Sequence, residues 1–144
     1  MSTLATPEPR TPWHVWVVGA LALLWNGSGA YTIVMAQAGR LADVSADEAA
    51  YYAAQALWML IATDVSLVAG IAAAVALLLR SRAAVWLFAV SLAAIVVTNG
   101  YDLAAGTSRA LAGTGWLVLT GIIVALAILQ LVYALAMKRR AVLA

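Results

Sequence analysis

The residue of this sequence with the greatest capacity for chemistry is Asp64, the only charged residue deep inside a long apolar stretch. An acid at the middle of a membrane-spanning helix costs about 2.5 to 3.5 kcal/mol on insertion scales, and such residues usually face a bundle interior or a cavity. Asp64 lies about ten residues, roughly 15 Å along a helix, from the start of its stretch. It could serve as a proton or cation site; the alternative is a structural acid that is protonated or hydrogen-bonded to Asn26 or Ser66.

Four further polar residues lie inside or at the edge of apolar stretches and could line a site together with Asp64. Asn26 is in the middle of the first stretch, whereas Thr98, Asn99 and Asp102 lie toward the end of the third. If their helices face one another, the five side chains outline a polar pocket that opens away from the cytoplasm. The alternatives are structural, because an asparagine amide can join two helices and a threonine hydroxyl can bond the carbonyl four residues before it.

The sequence carries no motif for catalysis, metal binding or a cofactor. It has no cysteine, and no G-x-S-x-G, H-E-x-x-H or glycine-rich phosphate loop occurs in it. His14 has no second ligand type close to it, so neither a metal site nor a haem site is indicated. We therefore assign no catalytic residue, no metal and no cofactor. We expect a protein that is not an enzyme, with a membrane enzyme that lacks a local signature as the remaining alternative.

The composition shows which elements must position these residues. Of 144 residues, 66% are hydrophobic, 8 are Lys or Arg and 6 are Asp or Glu, whereas a soluble domain has about a quarter charged residues. Four apolar stretches, about 13–37, 54–79, 83–103 and 115–137, reach the roughly 20 residues that cross a bilayer, and in lipid each must be a helix. The sequence predicts an all-α, integral membrane, antiparallel four-helix bundle, with a tail at 1–11 and a single domain at 12–144.

The basic residues lie mostly on one side of the predicted spans. Six of the eight share that side: Arg10, Arg80, Arg82, Lys138, Arg139 and Arg140. Arg40 and Arg109 lie on the other side, so the positive-inside rule places both termini in the cytoplasm. The net charge is only +2, and the longest basic run is 138–140. We therefore expect the lipid bilayer, and not a nucleic acid, as a partner.

Local signals predict where two of the helices begin. Thr11 before Pro12 predicts an N-cap with proline at the first helical position. Ser45 and Glu48 form a capping box, in which each side chain takes a backbone N–H of the other residue. This box predicts that the second helix starts with an interfacial segment at 46–53, ahead of its apolar part. Gly39 marks the end of the first helix.

The second apolar stretch has two different faces on a helical wheel. Its small-residue face, which would let another helix approach closely, consists of Ala62, Ser66, Gly70 and Ala74, together with neighbouring alanines. Asp64 lies on the opposite face among branched apolar residues. In the fourth stretch Gln130 shares a face with Trp116, and we interpret it as an amide that joins helices. Both faces of the second helix need protein contact, which favours a homo-oligomer or a membrane-protein partner.

Several segments resemble a family of small four-span inner-membrane proteins of alphaproteobacteria, which are often labelled "sugar transporter" by automatic naming. The segments are 13–19 (WHVWVVG), 24–26 (LWN) with 29–31 (GAY) and 34–35 (VM), 77–82 (LLLRSR) and 88–92 (FAVSL). The resemblance implies a multi-pass protein of the bacterial inner membrane and specifies no sugar. Family members often carry an acid where this chain has Thr32, and a small or apolar residue where it has Asp64. This departure raises the hypothesis that Asp64 supplies the acid from the neighbouring helix.

Two function classes follow from these residues. The first is a non-enzymatic accessory or scaffold component that packs against a partner through the small-residue face of the second helix. The second is a small transporter that works as a dimer, with Asp64 as its proton or cation site and an unknown small-molecule substrate. Four-span chains that transport as dimers exist, so the second class is open by analogy of fold.

Overall fold

The computed structural model describes residues 11–107, 111 and 114–143, and these residues form five helices. The helices are α1 (His14–Gln37), α2 (Ala46–Ala53), α3 (Leu57–Leu78), α4 (Ala83–Ala105) and α5 (Thr114–Arg139). The described part of the chain contains no strand, so the all-α prediction is confirmed. Residues 1–10 of the predicted tail, and Arg109, lie outside the described residues.

Four of the five helices are long and apolar enough to cross a membrane. They have 22 to 26 residues, which correspond to roughly 33 to 39 Å at 1.5 Å per residue against a hydrocarbon core about 30 Å thick. Their outer surfaces expose large apolar side chains such as Leu21, Val68 and Leu129. These features indicate a multi-pass membrane protein.

The long helices pack in chain order. α1 packs on α3, α3 on α4 and α4 on α5, while α2 rests against α1. The contact between α3 and α4 is the most extensive, because the two helices form a hairpin around residues 80–82 and because small residues let their backbones come close. In the predicted small-residue face of α3, Ser66, Gly70 and Ala74 are buried and Ala62 is half-buried. That face is used inside the chain and is not presented to a partner.

Of the two predicted helix caps, one is confirmed and the other is wrong. The capping box of α2 is confirmed: the Ser45 Oγ accepts from the Glu48 backbone N–H at 3.2 Å, and Glu48 accepts from the Ser45 N–H at 3.0 Å. The Thr11 cap on α1 is wrong. The Val15 N–H bonds the Pro12 carbonyl instead, and the Thr11 hydroxyl accepts from the Arg80 guanidinium at 2.7 Å, because a charged donor competes well for a hydroxyl oxygen.

The bounds of the spans differ from the predicted ones chiefly before α3. The second span begins at Leu57 and not at residue 54, since α2 ends at Ala53 and a short break separates the two helices. No proline or glycine marks this break in the sequence. α4 continues to Ala105, where the left-handed Gly106 ends it.

Most of the buried apolar side chains form one cluster in half of the bundle. We call the end with the 80–82 turn the turn end, and the opposite end, which carries α2, the α2 end. The cluster occupies the turn half and includes Val15, Ala22, Ala73, Leu77, Ala84, Phe88, Ala134, Met137 and Leu143. Leu143 reaches it because the chain reverses after α5 at Ala141 (φ +54°), and Arg82 Nε donates to the Leu143 carbonyl at 3.3 Å. The turn half is therefore solid protein.

Candidate functional site

The α2 half of the bundle is hollow. It contains a partly open cavity of about 380 Å³ to which all five helices contribute side chains. Its walls are apolar or aromatic over most of their area, and hydroxyl and amide side chains line the remainder. Cavities of this size and character are typical of small-molecule sites in proteins, which are largely apolar with a small number of placed polar groups.

Two amides form the floor of the cavity. Asn26 Nδ2 on α1 donates to Gln130 Oε1 on α5 at 3.0 Å and to the Ala22 carbonyl at 2.8 Å. Gly70 of α3 lies beside the Asn26 amide, and a Cβ at that position would collide with it. Because Gly70 has no side chain, the Asn26 amide can occupy this position and bond Gln130.

A second polar bridge closes the bundle below the floor. His14 Nδ1 on α1 and the Tyr133 hydroxyl on α5 form a hydrogen bond of 2.5 Å, and the two rings meet edge to face at 5.8 Å between centroids. Asn26 with Gln130 and His14 with Tyr133 thus join α1 to α5 through side chains. These bridges keep the α1 and α5 sides of the bundle together around the cavity.

The mouth of the cavity is covered by α2. The Tyr51 hydroxyl donates to Asp102 Oδ2 on α4 at 2.8 Å, and Asp102 is only 6% exposed. The Tyr51 ring lies edge-on to Tyr52 at 5.2 Å and to Trp116 at 6.0 Å. A carboxylate and three aromatic rings therefore surround the mouth, and the Tyr51 to Asp102 bond latches α2 over it.

Burial keeps the two tyrosine hydroxyls of the mouth in their neutral form. It raises the pKa of Tyr51 well above the usual range, and the hydrogen bond to Asp102 raises that pKa further. Burial also raises the pKa of Tyr52, with a contribution from the Glu48 carboxylate. Because both folded-state pKa values are raised, Tyr51 remains a hydrogen-bond donor at about pH 10, where an exposed tyrosine is half ionised.

The latch leads to a prediction about α2. Tyr51→Phe keeps the ring but removes the donor to a carboxylate, an interaction of about 1.5 kcal/mol. The backbone amides of α2 are therefore expected to exchange with deuterium about tenfold faster, as read by mass spectrometry in detergent. Tyr52→Phe is the matched control, since it removes a neighbouring hydroxyl and leaves the Tyr51 to Asp102 bond in place. Equal exchange in the two variants would contradict the latch.

Four of the five predicted site residues line the cavity. They are Asn26 at the floor, Thr98 and Asn99 in the wall and Asp102 at the mouth. Thr98 Oγ1 and Asn99 Nδ2 donate to carbonyls of their own helix at 3.0 and 2.8 Å. Their donors are therefore satisfied, and Asn26 and Asp102 carry the interactions between helices.

Asp64 is not part of this cavity. It is exposed on the outer surface of α3, on the side opposite the buried Ser66, because two residues along a helix correspond to about 200° of rotation. The two side chains that were predicted as partners of a structural Asp64 bond elsewhere. Asn26 donates to Gln130, and Ser66 Oγ donates to the Thr63 carbonyl at 2.7 Å. Asp64 therefore belongs to the outer surface of the bundle.

Sequence reasoning missed the pairing of several site residues. Gln130 carried the signal of a polar residue on an apolar helix face, but the sequence does not pair it with Asn26. Tyr51 carried the signal of an aromatic residue in a capped interfacial helix, but nothing in the sequence brings it to Asp102. His14 gave no signal of a partner in the sequence, and the structure bonds it to Tyr133.

The cavity is the feature from which a function can be argued. It combines a placed amide pair, a buried carboxylate and aromatic walls in one half of a bundle whose other half is solid. Such an arrangement can hold a small molecule, and it contains no catalytic constellation among the described residues. Neither a protein family nor a curated protein nor a solved structure matches this chain, so the resemblance to alphaproteobacterial four-span proteins stays a prediction.

Proposed function

We propose that this chain is a binding protein of the bacterial inner membrane that holds a small, mostly apolar molecule in the α2 half of its bundle. The observation that carries the proposal is the contrast between the solid turn half and the cavity of about 380 Å³ above it. Native interiors are close-packed and contain few large voids, so a cavity lined by all the helices is a functional feature. Ligand pockets start at about 300 Å³, which suits a small amphipathic molecule.

An unpartnered polar atom in the cavity supports this proposal. The side-chain carbonyl oxygen of Gln55, which lines the cavity near the mouth, is buried and has no hydrogen-bond partner among the described residues. Buried acceptors in native proteins are normally paired. A bound molecule that places a donor or a positive charge near the mouth would compensate this oxygen.

We propose that the turn end faces the cytoplasm and that the cavity opens to the opposite side. Arg80, Arg82 and the basic run 138–140 lie at the turn end, whereas the α2 end carries Asp43, Asp47 and Glu48. Cytoplasmic loops carry the excess of lysine and arginine in membrane proteins. A ligand would then enter from outside the cytoplasm or from the outer leaflet.

A pair of variants on α5 tests the binding role. Ala127 lines the cavity, whereas Ala125 on the same helix is exposed. Ala127→Phe fills the cavity and is expected to lower the amount of co-purified small molecule by about tenfold or more, a loss of at least 1.4 kcal/mol, as read by native mass spectrometry in mild detergent. Ala125→Phe adds the same ring outside and should retain it. Equal occupancy in the two variants, or no retained molecule in the unmodified protein, would contradict the proposal.

The exposed position of Asp64 favours a second candidate function, that of an accessory component. A carboxylate at the lipid-facing surface of α3 is costly, and a partner helix or a second copy that covers it would remove the cost. This role uses the outer face of α3 and not its small-residue face, which packs inside the chain. The transporter hypothesis with Asp64 as proton site receives less support, because Asp64 points away from the cavity.

A further inference from the structure

We propose that the cavity selects an amphipathic cation, a quaternary or protonated amine joined to an apolar body. The inference rests on the proposed function, since it names the class of molecule that the same cavity takes. It is carried by three features of the site: the single carboxylate at the mouth, the aromatic rings around that carboxylate and the apolar walls below it.

The carboxylate gives the cavity a negative charge, and no described basic side chain lines the cavity with it. Asp102 is almost fully buried, and its described side-chain hydrogen-bond partners, Tyr51 and Thr107, are both neutral hydroxyls. No lysine, arginine or histidine occurs among the described residues that line the cavity. A positive charge at hydrogen-bond or contact distance stabilises the ionised form of a buried carboxylate. The mouth therefore attracts a cation and repels an anion.

The aromatic rings of the mouth suit an ammonium group. Tyr51 bonds Asp102, and its ring contacts Tyr52 and Trp116. The faces of such rings attract cations through their quadrupole. Aromatic cages are the usual protein solution for quaternary ammonium groups. The carboxylate and the rings together can replace the hydration that an ammonium group loses on entering.

The remainder of the cavity suits an apolar body. Below the mouth its walls include Met59, Leu67, Ile95, Leu119 and Ile123. The floor amides, Asn26 and Gln130, can meet one polar group at the far end of the ligand. The order from mouth to floor is thus cation site, apolar wall and amide pair.

A matched pair of probes tests the charge preference. The protein is purified in dodecyl maltoside, and (3-phenylpropyl)trimethylammonium and its uncharged tert-butyl isostere are titrated by calorimetry against empty micelles. The cation is expected to bind about tenfold more tightly than the isostere, in line with a close charge pair. Asp102→Asn should reduce this preference to about twofold or less, whereas Asp43→Asn, which removes an exposed acid at the α2 end, should preserve it.

The outcomes separate the two proposals. Equal affinity for the two probes, or a preference that survives Asp102→Asn, would overturn the cation inference and leave the binding role standing. No binding of either probe, together with no retained small molecule, would overturn both. If Asp102→Asn does not fold, Trp116→Leu replaces it as the test, because this variant keeps the carboxylate. It should lower the affinity for the cation about fivefold and the affinity for the isostere about twofold or less. An equal loss of affinity for the two probes would overturn the inference.

The same titration identifies the source of the cation. Added phosphatidylcholine presents a quaternary ammonium headgroup on a lipid, and its competition with the probe would assign the site to a lipid headgroup. Failure of phosphatidylcholine to compete, with binding of the probe itself, would assign the site to a free amphipathic amine. Both results keep the cation chemistry of the site.

Discussion

Gly70→Ala is expected to lower the free energy of unfolding by about 1 to 3 kcal/mol, the usual effect of inserting a methyl group into a packed interior. A Cβ at position 70 would collide with the Asn26 side chain and lie 3.3 Å from Ser91 Oγ. Asn26 cannot move away without loss, because its amide donates to Gln130 and to the Ala22 carbonyl. The substitution therefore also disturbs the floor of the cavity and should weaken ligand retention.

The control for Gly70→Ala is Gly100→Ala on α4. A Cβ at Gly100 meets nothing within 4 Å, so this substitution should be neutral or slightly stabilising, because alanine is the better helix former by up to about 1 kcal/mol. Thermal unfolding in detergent, followed by circular dichroism, compares the two variants. The same stability for both would show that the close approach of α3 to Asn26 is not required.

Asp64→Leu is expected to make membrane insertion of α3 more favourable by about 3 kcal/mol and to leave binding in the cavity unchanged. The first effect follows because aspartate at the centre of a span is disfavoured and leucine is favoured on insertion scales. The second follows because Asp64 is exposed on the outer surface of α3 and does not line the cavity. An insertion assay of the α3 segment measures the first effect, and native mass spectrometry measures the second.

Val68→Leu is the matched control for Asp64→Leu, since Val68 is 68% exposed on the same helix and the substitution leaves the charge of α3 unchanged. Loss of cavity binding in Asp64→Leu but not in Val68→Leu would return Asp64 to the binding site, as the transporter hypothesis requires. Cross-linking in native membranes adds the test of the accessory role. A second copy or a consistent partner that is captured by the unmodified chain and lost in Asp64→Leu would support that role.

The division of the bundle into a solid and a hollow half explains how a small chain can combine stability with a binding site. Leu77, Phe88 and Leu143 bury their side chains in the turn half, where the long helices and the tail after α5 meet. That half holds the helix axes in place. The α2 half can then keep an open cavity with its polar groups in fixed positions, as a precise binding site requires.

The sequence by itself determined the helices and the faces that they present. Long apolar stretches fix the spans, because a backbone in lipid must satisfy its own hydrogen bonds. The capping box at Ser45 and Glu48 was readable because its two bonds are local. The opposition of the two faces of α3 was readable for the same reason, because the helical period places Gly70 and Asp64 on different sides of the helix. The period does not say which of these sides faces the interior.

Only the tertiary structure decided which of these residues meet. The pairs that build the site are far apart in the chain: Tyr51 and Asp102 are separated by 51 residues, Asn26 and Gln130 by 104, and His14 and Tyr133 by 119. Helical periodicity gives the direction of a side chain around its own axis but not the neighbour that stands there. For this reason the sequence could not show that Asp64, its most conspicuous residue, lies outside the cavity. Nor could it show that Asp102, near the end of its span, is the acid that the fold buries.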